Sequence, residues 1–155
     1  MQLNKLHNIN IDGSKLRIAI VLPYFNELIG MELLENCKYE LLENKVKPEN
    51  IITVRVAGAL EIPFACREII AKNKPDAIIA LGVVVRGETY HFEMVTKTTY
   101  KGIMNVQLAT GIPISFGVLT CDNINQAKER ASATGQNKGK QAAQAALLQT
   151  RLIKP

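Results

Sequence analysis

The sequence predicts an α/β fold, a three-layer αβα sandwich around a four-stranded parallel sheet. Three observations carry that prediction. Four short β-branched runs each end in a turn signal, segments of helical period separate them, and every connection is long enough for a crossover between parallel strands. The chain has 155 residues, 47% hydrophobic and 21% charged, which is the size and balance of one soluble domain. It is therefore read as a single domain over 1–155, with 1–14 as an N-terminal extension.

Arg17 to Leu22 (RIAIVL) is an apolar run ended by Pro23, the mark of a strand buried on both faces. From Leu28 onward, Met31, Leu34, Cys37 and Leu41 recur at steps of three and four, predicting an amphipathic helix that Lys47-Pro48 ends. Ile51 to Val56 (IITVRV) is the second strand. After Gly58, the stripe Ile62, Cys66 and Ile69 predicts a helix whose first turn tolerates Pro63. Asp76 precedes the third strand, Ala77 to Val85. A long helix is expected from about His91 to Ala109, with Phe92, Val95, Ile103 and Val106 on one side and Gly102 as its weak point. Gly111 and Pro113 lead into a fourth strand, Ile114 to Leu119. Asp122 or Asn123 caps a helix through about Ala133, and an Ala-rich helix follows from Asn137 to about Leu152. This order is that of a flavodoxin-like sandwich, in which ligands bind beyond the carboxyl ends of the strands.

Composition removes several function classes. There are 19 Lys and Arg against 14 Asp and Glu, a formal charge of +5, and most of the excess lies in residues 122–155, where six cations face two acids. No Lys/Arg run and no aromatic-interleaved basic stripe accompanies it, so nucleic acid is not an expected partner. The start MQLNKLHNIN lacks an apolar signal core, and no stretch has the length of a membrane span. Cys37, Cys66 and Cys121 are 29 and 55 residues apart, neither a zinc-knuckle nor a CxxC spacing, and reduced thiols point to the cytoplasm. His7 and His91 have no partners at metal-ligand spacing, and neither a metal nor a cofactor is expected.

The segments after the strands carry the chemistry. PYFNELI places Phe25 at a strand exit, where it is either a stacking platform or a core aromatic. VAGALEIP follows the second strand; Gly58 permits a tight turn, the next amides offer donors, and Glu61 complements a helix dipole. RGETYHF, after the third strand, joins a cation, a flexible Gly, Thr89 and His91 at a helix start. Such a set holds a phosphate with a proton donor beside it, or is simply a Thr cap and a solvent-facing His. Phe116 and Gly117 lie in FGVLT. Arg130 on the next helix is an anion ligand or a surface charge.

Taken together, FNELI, GALEIP, ALGVVVRGETYHFEMV, IPISFGVLT and QAKERA…NKG, in this order and spacing, resemble the lumazine synthase family. The likeness runs from about Lys15 to Leu148. It implies a transferase of riboflavin biosynthesis that condenses 5-amino-6-(D-ribitylamino)uracil with 3,4-dihydroxy-2-butanone 4-phosphate. Phe25 would then stack on the pyrimidine, Ala59, Leu60 and Glu61 would hold the ribityl chain, and Val83, Val84 and Val85 would meet the ring. Glu88 and Thr89 would hold the phosphate, and His91 would be the acid/base residue. Phe116, Arg130 and Lys138 would come from a neighbouring subunit, Arg130 reaching the phosphate, in a homo-oligomer built from pentamers with active sites between subunits. Tyr24, Ala57, Leu60 and Gln141 depart from the residues common at their positions in the family, which more often has Arg, Pro, Phe and an acid there. Two other readings share the scaffold, an archaeal-type riboflavin synthase and a non-catalytic lumazine- or flavin-binding protein. The RGET segment with His91 argues against the first, and a retained phosphate site against the second.

Overall fold

The computed structural model describes residues 9–155. The expected N-terminal extension, residues 1–14, therefore lies partly outside the described residues, and so does His7. Four parallel strands, β1 (Ile18–Pro23), β2 (Ile51–Val56), β3 (Ala77–Val85) and β4 (Ile114–Cys121), form one sheet in the order β2-β1-β3-β4. The helices are α1 (Glu27–Glu43), α2 (Ile62–Asn73), α3 (His91–Thr110), α4 (Ile124–Ala131) and α5 (Lys138–Thr150), with short 3-10 turns at Pro48–Asn50 and Ala59–Glu61. β1 runs through the centre, and Ile18, Ala19, Ile20, Val21 and Leu22 are wholly buried because helices cover both faces of the sheet.

Two cores result. On one face α1, α4 and α5 enclose Leu33, Cys37, Leu41, Ala143 and Leu147 against β1 and β3. On the other, α2 and α3 enclose Ile62, Cys66 and Ile103 against Ala19, Val21, Ile78 and Ala80. Alternate residues of one strand thus serve opposite cores, as the period of two requires.

Three local expectations change. α1 stops at Glu43, short of Pro48, because the Asn44 amide is bonded to Glu40 and its Oδ1 accepts the Ile11 amide at 3.2 Å, while Lys45 turns left-handed at φ 66°. β4 runs two residues past its expected end, to Cys121, with Phe116 inside the strand. Gly102 is no weak point: a Cβ there would lie 2.6 Å from Pro63 Cγ, so the glycine lets α3 lie close against the start of α2. Gly111 ends α3 as expected, left-handed at φ 71°. Asn123 and Asn137 cap α4 and α5, accepting the amides of Gln126 at 2.9 Å and Lys140 at 3.2 Å.

Candidate active site

From β1 the chain passes outward to β2 and then returns across to β3, so the connections leave the sheet in opposite directions at β1/β3. This switch point opens a crevice at the carboxyl ends of the strands. A cavity of about 470 Å³ lies there. Its lining comes from the β1 exit (Pro23, Phe25, Asn26), the β2 exit (Ala57 to Glu61), the end of β3 (Val83 to Val85), Gly87 and Thr89 of the following loop, and the first residues of α3 (His91, Phe92, Val95).

Phe25 is 72% exposed, which settles the question of a core aromatic against the core. A bare phenyl ring at a cavity rim is a stacking surface. Beside it, Gly58 has φ −146°, a conformation open to any residue; what the glycine supplies is room, since a Cβ would lie 3.6 Å from the Phe25 ring and 3.2 Å from Glu61 Oε2. The Gly58 amide donates to Glu61 Oε2 at 2.8 Å, so this carboxylate fixes the start of the 3-10 turn as well as facing the cavity. The end of β3 presents Val84 and Val85 half-buried, with Val83 buried below them.

Asn26 is a site residue that sequence reasoning passed over. It sits left-handed at φ 54°, a conformation Asn tolerates better than other non-glycine residues, and its Nδ2 donates to the Val83 carbonyl at 2.9 Å. That bond ties the two sides of the crevice together. An Asn immediately before a helix was the available signal.

At the α3 entrance, Thr89 Oγ1 accepts the His91 amide at 3.3 Å, and His91 is exposed at the cavity edge. Arg86, the cation of this segment, is committed elsewhere. Its Nε donates to Asp122 Oδ1 at 2.9 Å, its Nη1 to Glu93 Oε1, and its guanidinium lies 4.3 Å from the centre of the Phe92 ring. Arg86 holds the Glu93 carboxyl below the usual carboxylate range. The guanidinium thus braces the loop across to β4 and is not itself a lining group.

Four expected site residues do not line the cavity. Glu88 is exposed in the loop. Phe116 pairs with Ala80 in the sheet and packs against Tyr100 at 5.3 Å between ring centres, well toward the amino end of the strands from Val83. Arg130 lies on α4, on the opposite face of the sheet from α3. Lys138 opens α5 on that same face, and its Nζ donates to Gln141 Oε1 at 3.0 Å, so an amide stands where an acid is common.

The profile of the 6,7-dimethyl-8-ribityllumazine synthase family matches residues 15–154. The chain is similar to the 6,7-dimethyl-8-ribityllumazine synthases of Kosmotoga olearia (47% identity over 87% of this chain and 86% of that one), Lawsonia intracellularis (43% over 98% and 96%) and Thermotoga petrophila (42% over 92% and 86%). With identity of this order running nearly end to end, and a switch-point cavity built from the segments that first suggested the likeness, the chain belongs to the 6,7-dimethyl-8-ribityllumazine synthase family.

Proposed function

We propose that the chain condenses 5-amino-6-(D-ribitylamino)uracil with 3,4-dihydroxy-2-butanone 4-phosphate, giving 6,7-dimethyl-8-ribityllumazine and releasing phosphate and water. The observation that carries this reading is the cavity itself, which gathers Phe25, residues 59–61, residues 83–85, Thr89 and His91 in one space of substrate size. Phe25 stacks on the pyrimidine, Ala59, Leu60 and Glu61 take the ribityl hydroxyls, and Val83 to Val85 bound the ring. Thr89 and the backbone amide of Glu88, in the loop that leads into α3, receive the phosphate.

The chemistry asks little covalent help. The 5-amino group attacks the ketone and water leaves as the imine forms; phosphate is then eliminated, the second amine closes the ring, and a second water departs. Each step is served by holding two substrates in register, with His91 moving protons at the cavity edge. Phe116, Arg130 and Lys138 complete the site from a neighbouring copy, Arg130 on the phosphate, in a homo-oligomer of pentameric rings. Two features support this arrangement. These three residues do not line their own chain's cavity, and large apolar side chains stand exposed, among them Leu28 at 91%, Leu108 at 75% and Phe64 at 62%. A cytoplasmic setting agrees with three buried, unbridged thiols.

Mixing the purified protein with both substrates tests the reading directly, through the fluorescence of the lumazine formed. Failure to form lumazine, or formation of riboflavin from lumazine alone, overturns it. Light scattering tests the ring.

A further inference from the structure

Resting on that reading, we infer that Arg55 is the positioning residue of the pyrimidine half of the site, a guanidinium splint that holds the turn carrying Phe25 and Asn26. Arg55 is the next-to-last residue of the edge strand β2 and pairs in register with Leu22. It does not line the cavity. Its Nε donates to the Leu22 carbonyl at 3.1 Å, and its Nη2 donates to the Pro23 carbonyl at 3.4 Å and to Glu27 Oε1 at 3.0 Å. Nη1 lies 3.7 Å from Met31 Sδ, and the guanidinium carbon sits 4.2 Å from the centre of the Tyr24 ring. All these contacts fall between Leu22 and Met31, on either side of Phe25.

The sheet does not do this work. Its ladder fixes the backbone as far as Pro23, and the Tyr24 amide adds one bond to the Val56 carbonyl at 2.8 Å. Beyond that the chain must reverse through a left-handed Asn26 while presenting a phenyl ring that is mostly in solvent. Two ties hold the reversal from opposite sides, Asn26 to Val83 on the cavity side and Arg55 on the edge side. The edge tie depends on a planar fork. One guanidinium meets two carbonyls, one carboxylate and one aromatic face at once, whereas an ammonium has neither the span nor the flat surface. Tyr24, which departs from the family pattern, is here the aromatic face of the splint.

The experiment measures steady-state lumazine formation by the full chain, varying each substrate in turn, for wild type, Arg55→Lys, Arg55→Met and Glu27→Gln. The expected result is a KM for the ribitylaminouracil raised roughly fivefold or more in both Arg55 variants, because small misplacements of a substrate-orienting group carry large kinetic penalties. The KM for the butanone phosphate stays within about twofold, and Glu27→Gln moves the same constant in the same direction by less. Arg55→Lys does not rescue. Since the chain has no Trp, Phe25→Trp supplies a single emitter whose anisotropy falls when Arg55→Met is added. An active wild type whose Arg55 variants shift both KM values together, shift only the phosphate substrate, or behave as wild type overturns the splint. An inactive wild type overturns the proposed reaction instead. Where Arg55→Met fails to fold, Arg55→Lys and Glu27→Gln decide by the same split.

Discussion

Gly139→Ala should loosen the contact between α1 and α5 at a single point. Gly139 lies in the first turn of α5, and a Cβ built on it collides with the Leu33 carbonyl oxygen and comes within 3.0 and 3.1 Å of the Leu33 carbonyl carbon and Cα. All three atoms are backbone of α1, so no side chain can swing away, and relief requires the helices to part by on the order of an ångström. Overpacking of this kind costs about 1–3 kcal/mol. Replacing glycine within a helix returns at most about 1 kcal/mol. The separation also stretches the buried bond from Gln144 Nε2 to Glu40 Oε1, 3.0 Å long between the same two helices, a further loss of about 1 kcal/mol. The net expectation is a loss of about 2 kcal/mol, which lowers Tm by roughly 4–8 °C for a domain of this size. Calorimetry at one fixed protein concentration measures it, since assembly makes Tm concentration-dependent. Gly87→Ala is the control, because among the described residues no atom lies within 4 Å of its Cβ. A Gly139→Ala protein as stable as wild type, or a Gly87→Ala protein equally destabilised, would refute the steric argument.

Three further outcomes follow from the site and the core. His91→Ala should slow lumazine formation by no more than the hundred- to ten-thousand-fold that one acid/base group supplies, roughly, leaving the contribution of proximity in place; a rate equal to wild type removes His91 from the mechanism. Arg130→Ala should chiefly raise the KM for the butanone phosphate through loss of a charge-assisted contact, and unchanged saturation by that substrate counts against its placement. Burial pushes the Cys37 and Cys66 thiols up, Cys66 to about 12. Folding therefore favours the protonated thiols: their contribution is complete below about pH 8.5, where unfolded thiols begin to ionise, and is lost as pH rises toward 12. Urea midpoints measured from pH 7 to 10 should fall less steeply for Cys66→Ala than for wild type.

The strands were legible because burial on both faces leaves continuous β-branched runs; β2 and β3 match their expected bounds residue for residue. The end of α1 was not, because Asn44 stops the helix through bonds to Ile11 and Glu40, and only one of those partners is local. Gly102 was read as a propensity defect because Pro63, its reason, lies 39 positions away in the chain. In the site, the cavity-lining segments were visible as unusual residues at strand exits. The residues that brace them were not: Arg55 works on Leu22 and Glu27, and Arg86 on Asp122, pairs that only strand order brings together. The end of β4 was expected at Leu119 and falls at Cys121, because the sequence before Asp122 holds no breaker to show how far the strand runs.

The placement of the cavity and Arg130 on opposite faces of one chain bears on inheritance. On the proposed arrangement, a defect in one copy spoils one junction while that copy's other half stays serviceable. A subunit lacking the His91 side chain still lends its Arg130 to the next cavity, and a subunit lacking Arg130 still offers an intact cavity to be completed. Two impaired alleles expressed together would regain working junctions wherever the intact faces meet, about a quarter of them in a random equal mixture. Competence in such an enzyme is a property of junctions, and it is diluted or restored by the company a subunit keeps.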